Sequence, residues 1–425
     1  LNLQSGTVNI SGNLDLTRHL GNATITSTIF NFNASSGTST VIGNTTGTGL
    51  GRTGPINFNL TGTANLVLQN NITINGNLTF NTANSVTTTG STVAIVGSRN
   101  VDARGTGSVN LDFNNLQVGT TSATGSATLT GAIQVNGNLT IASSSTLNTS
   151  GSNHAVTLQG SFTNGGTFTP NNSVITLSGT NSQSLDFRNS TTPTLHTLTS
   201  TKSSGTATIT DAVNISTLLQ CTGGTLALGT DLVTLLSTST TTAQVGNSAG
   251  GTYTGTVNIQ RYIPSIGRRW RFLAAPVSSG ATVANSWRNT MFITGPGTGT
   301  GPVALANYNS NGFDWISSGS PTIYTYNENQ AIDFNSRWVA LPSATTALNR
   351  GTGYRVFVRG DRSDVGRLNG SVTTQNEVTI TANGGIPHGN LNVPITCSNG
   401  CGTDDGWNLI GNPYHIRLEC FPNNQ

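Results

Sequence analysis

The chain has 425 residues, of which only 8% are charged, with 52 glycines and a net charge of +3 at pH 7. A balance this small and this scattered supplies no basic stripe for nucleic acid, and no apolar run approaches the roughly 20 residues of a membrane-spanning helix. Disorder is excluded as well, because disordered chains are poor in β-branched residues and rich in charge, whereas this one is full of Val, Ile and Thr in alternation.

The opening "LNLQSGTVNI" already reads as strand, with neither an initiator Met nor a leader, so a mature form or a fragment is expected. A nine-residue phrase then recurs: "VNISGNLDL" at 8–16, "ITINGNLTF" at 72–80 and "IQVNGNLTI" at 133–141. Aligned on Asn13, Asn77 and Asn138, the copies lie 64 and 61 residues apart. Between and beyond them come "STIFNFNAS", "GPINFNLTG", "GSVNLDFNN" and "NSVITLSGT", each short, alternating and ended by Gly, Asn, Ser or Thr. Period-2 alternation of this kind reads as β-strand. One third of the phrase spacing is about 20 residues, a plausible coil of a parallel β-solenoid. In such a coil, inward Val, Ile, Leu and Phe stack on their equivalents about 4.8 Å along the axis. Thr and Asn form hydrogen-bonded ladders, and Gly turns the corners, often at positive φ. Charge is scarce because a charge in register would face its like on every rung. Residues 1–250 are thus expected to form a solenoid of about 12 coils, with the repeated phrases as rungs. The alternative, a string of small β-sandwich modules, would place aromatic anchors in its core, and no Trp or Tyr occurs before residue 250.

Composition changes there. All five tryptophans, all seven tyrosines and ten of the thirteen prolines follow residue 250, after the low-aromatic stretch "STSTTTAQVGNSAGGTYTG". The first part carries six basic and six acidic residues, and Lys202 is its one lysine and the chain's. Residues 251–425 are therefore expected to form a second domain.

Three phrases in this half are specific in combination: "TVNIQRYIPSIGRRWRFLAAPVSS" at 256–279, "GTGYRVFVRGDRS" at 351–363 and "GWNLIGNPY" at 406–414. Together with the repeat language of the first half, they resemble secreted surface proteins of Bacteroidetes bacteria exported by the type IX route. The resemblance covers nearly the whole chain. It implies a repetitive β-rich region followed by a β-sandwich or jelly-roll-like module, and an extracellular or cell-surface location. It identifies an export class and no activity. The chain departs from the family after Tyr414, where "HIRLECFPNNQ" replaces the usual continuation, and a C-terminus incomplete by truncation or by a shifted reading frame is expected.

Chemistry-bearing residues are sparse. Glycoside hydrolysis needs two carboxylates roughly 5–10 Å apart. Asp102 and Asp112, ten residues apart, are expected on different faces, and His19, His154 and His196 have no evident partners. "GDRSD" at 360–364 places two carboxylates in one turn and reads as a solvated loop rather than a cation site. "CSNGC" suits a small disulfide between Cys397 and Cys401 in an oxidising compartment, while Cys221 and Cys420 provide no second pair for zinc. In "GRRWRF", Arg269 and Arg271 share one face and Trp270 the other, with Trp270 expected to be buried. The exposed-aromatic candidates for ligand contact are Trp315, Tyr324 and Tyr326.

The expectation is an all-β, non-enzymatic extracellular protein without cofactor or metal, either a self-assembling filament subunit or a stiff surface fibre or adhesin stalk. Its partners would be other copies of itself, pairing head to tail through an N-terminal edge formed by Leu1, Leu3, Val8 and Ile10. A polysaccharide-binding surface module is the alternative, and a carbohydrate-active β-helix enzyme a distant third.

Overall fold

The computed structural model describes residues 6–15, 28–42, 56–60, 64–81, 85–104, 109–246, 248, 250–330, 335–398 and 406–414. Among the described residues nearly all regular structure is β, with only a 3₁₀ turn at Trp287–Asn289 and one helical turn at Gly366–Asn369. The chain divides into two compact units, Leu1–Ala227 with Asn247–Thr252, and Leu228–Gly246 with Tyr253–Gln425.

The first unit is a three-sided parallel β-solenoid of about nine turns, with about 23 residues per turn. One face runs from Gly6–Ile10 through Thr28–Phe32, Ile56–Leu60, Leu78–Phe80, Gly97–Asp102, Gly125–Leu129 and Thr146–Asn148 to Thr167–Thr169. A second carries Leu14–Asp15, Thr38–Ile42, Asn65–Gln69 and Ser85–Thr87, and further along Ile133–Val135, Val156–Leu158 and Val174–Leu177. The third carries Asn71–Ile74, Thr92–Ile95, Asn115–Val118, Leu139–Ile141, Phe162–Asn164 and Gln183–Asp186. From Asn71 to Asp186 the chain visits the three faces in turn. The regular repeat is longer than the 20 residues expected, since Leu116 pairs with Leu139 and Leu139 with Phe162. Some coils are longer, as between Thr28 and its partner Ile56.

Burial follows from register. Along the third face, Ile72, Val93, Leu116, Leu139, Phe162, Leu185 and Ile209 stack in one inward column, and all are buried. Each such side chain contributes about 2 kcal/mol by leaving water. The parallel column Ile74, Ile95, Val118 and Ile141 ends at Asn164. There the buried amide donates to Phe187 O at 2.8 Å and accepts from Gly166 N at 3.2 Å, so its polar atoms are satisfied. Lys202, also buried, donates from Nζ to Ser178 O, Asn181 O and Gln183 Oε1. It ties together loop carbonyls beside a register shift in the Thr194–Ile209 strand, and burial pushes its pKa down.

The repeated phrase is a corner, which corrects its reading as a rung. "VNISGNLDL" joins the first face to the second, "ITINGNLTF" the third to the first, and "IQVNGNLTI" the second to the third. The same Asn does the same task at each: Oδ1 of Asn13, Asn77 and Asn138 accepts the backbone N–H of Thr40, Asn100 and Ser161 one rung on. At a corner the sheet ladder is interrupted, and a side-chain oxygen there satisfies an N–H that would otherwise lack a partner. Glycine serves close approach at the corner around 137 rather than positive φ. A Cβ on Gly137 would lie 2.4 Å from Asn115 Oδ1, and one on Gly160, a rung later, 2.2 Å from Gly137 O.

The second unit opens with a parallel pair, Val233–Leu235 beside Val257–Ile263. The other edge of Val257–Ile263 is taken, over its whole length, by the antiparallel strand Val378–Gly384. That strand's outer side is covered in turn: Ser278 N donates to Gly385 O, Asn383 N donates to Ser286 Oγ, and Gly384 admits Ser279 O to where a Cβ would stand. A four-stranded antiparallel sheet follows, in the order Arg269–Leu273, Tyr354–Val358, Ile323–Tyr326, Trp338–Ala340. Two antiparallel sheets face to face, the mark of the expected sandwich, are not established among the described residues. A cavity of about 400 Å³ lies between the two sheets of this unit, lined by Ile259, Ile380, Ala382, Leu273 and Trp287 among others.

Candidate ligand surface

The four-stranded sheet sorts its side chains by alternation. Residues paired across an antiparallel sheet project on the same side, and the pairs Trp270–Phe357, Phe272–Arg355, Tyr324–Arg355 and Tyr326–Trp338 set one face. The opposite face carries Ile323, Tyr354, Val356 and Val358, all buried. The first face is half open: Trp270 is 39% and Phe272 67% exposed, and Arg355, Phe357, Tyr324, Tyr326 and Trp338 are half-buried. Six aromatic rings and a guanidinium thus share one accessible sheet face.

The rings support one another. Trp270 meets Phe357 at 5.3 Å and Tyr324 at 5.7 Å between centroids, Phe272 stacks on Trp338 at 6.1 Å, and Tyr326 meets Trp338 edge-on at 5.1 Å. Cations are laid among them. The Arg355 guanidinium lies 4.4 Å from the Trp270 ring and 5.0 Å from that of Trp338, while Arg268 and Arg359 flank Phe357 at 5.7 and 5.3 Å. Cation–π contact of this sort orients a guanidinium flat against the ring and leaves its N–H edge for other partners. Arg268 spends its edge on Val372 O and Arg367 O. Arg359 is buried with Nε and Nη1 unpartnered among the described residues. Its pKa is lowered to about 10, by burial first and by the like charge of Arg268 next, against a smaller opposing pull from Asp314. Among the described residues, no carboxylate pairs with any of these three arginines; the ion pairs of this unit, Arg362–Asp314 and Arg367–Asp361, lie elsewhere.

The sequence-derived candidates fall out differently. Tyr324 and Tyr326 lie on the open face, with Tyr324 donating its hydroxyl to Pro321 O. Trp315 does not join them. Its indole N–H donates to Gly301 O at 3.1 Å and its ring packs where a Cβ on Gly299 would stand, so it latches the loop 295–302. Trp270, expected buried, is exposed, because the face it shares is the open one and the Val356 side is the core. Val8 and Ile10 are half-buried on the Gly6–Ile10 strand, which is first in its ladder and pairs, among the described strands, with Thr28–Phe32 alone; Leu1 and Leu3 lie outside the described residues. Cys397 is disulfide-bonded, while Cys401 and Cys420 lie outside the described residues; Cys221 is buried and free.

Asp102 and Asp112 engage opposite ends of Arg104, whose backbone N–H donates to Asp102 Oδ1 and whose Nη1 pairs with Asp112 at 2.8 Å. Asp102 ends the first-face strand Gly97–Asp102, whereas Asp112 adjoins Phe113, which bridges to Val135 on the second face, and the arginine neutralises Asp112. In the 360–364 turn both carboxylates are engaged, Asp361 by Ser363 and Arg367 and Asp364 by Gly366 N. Among the described residues no cluster of His, Cys, Asp or Glu is arranged to hold a metal ion. His196 rests on the hydroxyl of Thr197, and His19 is outside the described residues.

No protein-family model, curated protein or solved structure matches the chain.

Proposed function

We propose that the chain is a structural protein of the cell exterior, in which the solenoid serves as a stiff stalk. The single observation that carries this reading is the stacking of the described solenoid rungs, in which buried columns and corner Asn side chains tie one rung to the next. A rod built this way resists bending because displacing one rung strains the ladders on all three faces. The disulfide at Cys397 suits an oxidising compartment. The resemblance to secreted Bacteroidetes surface proteins points the same way. The last parallel strand, Val257–Ile263, already has its other edge covered by Val378–Gly384, which favours a stalk over a filament of chains joined through strand edges at both ends. Electron microscopy of the purified chain beside the native extracellular material tests the reading. Isolated rods at high concentration support the stalk; regular head-to-tail fibres that dissolve on substituting Val8 and Ile10 with Lys would replace it with the filament.

A second reading is favoured by the open aromatic face: the second unit binds polysaccharide. Contiguous exposed apolar surface on a sheet marks an interaction site, and flat rings suit the C–H faces of sugars. Loss of binding across a polysaccharide panel on Trp270→Ala would support it, and unchanged binding would end it.

A further inference from the structure

We infer that the open sheet face recognises an acidic polysaccharide, one carrying a carboxylate on successive sugar rings. The inference rests on the polysaccharide reading of the same face and adds the charge class of the ligand. Its basis is the proximity of rings and cations. Arg268, Arg355 and Arg359 lie 4.4–5.7 Å from the rings of Trp270, Phe357 and Trp338, and no described carboxylate forms an ion pair with any of them. Arg355 is the central case. Its guanidinium lies 4.4 Å from the Trp270 ring and 5.0 Å from the Trp338 ring, and neither its Nε nor its Nη atoms make a hydrogen bond to a described residue. An anion arriving at the Arg355 edge can accept two parallel N–H bonds from it.

A polyuronate offers both chemistries that the face presents, flat pyranose faces for the rings and a carboxylate for the Arg355 edge. An acidic peptide would offer the charge without the flat apolar faces that the rings of this sheet can stack on. Recognition is non-covalent, through stacking and charge-assisted hydrogen bonds, so no bond is made or broken.

The test uses the full chain with polygalacturonate, its fully methyl-esterified form and poly-glutamate, measured by calorimetry or affinity electrophoresis at low salt. Polygalacturonate is expected to bind at least 10-fold tighter than the ester. Arg355→Gln should remove that preference while leaving residual binding to the ester, Arg355→Lys should restore part of it, and Trp270→Ala should weaken both. Arg269→Gln, on the other side of the sheet, should change neither. Equal binding of acid and ester, or an Arg355→Gln variant that keeps the preference while retaining its thermal transition, overturns the acidic class and spares the polysaccharide reading. An equal loss with Arg269→Gln would also overturn it, since binding would then follow diffuse charge. Poly-glutamate binding as tightly as polygalacturonate makes the partner an acidic protein and overturns the inference. No binding to either form of the polysaccharide sinks inference and reading together.

Discussion

Asn138 in the solenoid finds its hydrogen-bond partner, Ser161, 23 residues along the chain, whereas Asn383 in the second unit reaches Asp231 across 152 residues. The contrast runs through both units. In the solenoid each rung needs only its neighbours, so stability is a sum of similar local terms and a loop can be inserted into one coil without disturbing the next. In the second unit, strands far apart in sequence meet, as when Tyr262 donates to Glu377, and the unit forms as a whole or not at all. Aromatic and arginine side chains follow the same division. The solenoid's repeating register has little room for a bulky or charged residue that must be accommodated on every turn, while the second unit can gather six rings on one face because nothing there repeats.

The largest expected effect lies in the solenoid's column. Phe162 touches Phe168 and Phe187 at 5.2 Å each, and Phe162→Ala should cost about 3–5 kcal/mol. In a denaturant melt the solenoid transition should move while the second unit's stays; movement of both by the same amount would break the division drawn above. Gly166→Ala comes next, because the new Cβ would lie 2.2 Å from Ser145 O and 2.5 Å from Ala142 O, both backbone atoms of a neighbouring rung. We expect a loss of about 1–3 kcal/mol by the same measurement. Asn138→Ala should cost about 1 kcal/mol, with faster amide exchange at Ser161 as its specific sign; unchanged exchange there would refute the corner role.

In the second unit, the pH dependence of Glu328 sharpens the comparison. Hydrogen bonds from the backbone N–H and hydroxyl of Ser398, then from Gly406 N, outweigh burial and hold its pKa at about 2, below the ordinary 4.5. Because the folded value is depressed, its contribution is present above pH 4.5 and is lost as the pH falls toward 2. The thermal midpoint of the second unit should fall in that window and Glu328→Gln should flatten the fall, while the solenoid's should not change on that substitution. The smallest effect is expected at Phe272→Ser. Its ring is mostly exposed and has one stacked neighbour, so stability should change by less than about 1 kcal/mol, and a larger loss would mean that the open face is a core.

Much of the solenoid was legible in the chain. Alternation in "ITINGNLTF" and "NSVITLSGT" identified strands, and the scarcity of charge indicated parallel stacking, because both follow from rules that act within a few residues. The coil length was less accessible. The phrase spacing measured distances between corners of different kinds, and a corner can be written identically whichever faces it joins. In the candidate surface, the period-2 pattern of "GRRWRF" separated Trp270 from Arg269 and Arg271. The expected burial of Trp270 was wrong, since Phe357 and Val356 are both apolar and only the fold turned the Val356 side inward.

By itself, then, the sequence determined that the chain is all-β, where its strands alternate, and which side chains share a face, all consequences of backbone periodicity. The tertiary structure alone decided that the phrase is a corner of three kinds, that the Arg104 guanidinium pairs with Asp112, and that Trp270 rather than Trp315 stands open. Those outcomes depend on which surfaces meet across long stretches of chain, and burial is settled only when the partner surface is in place.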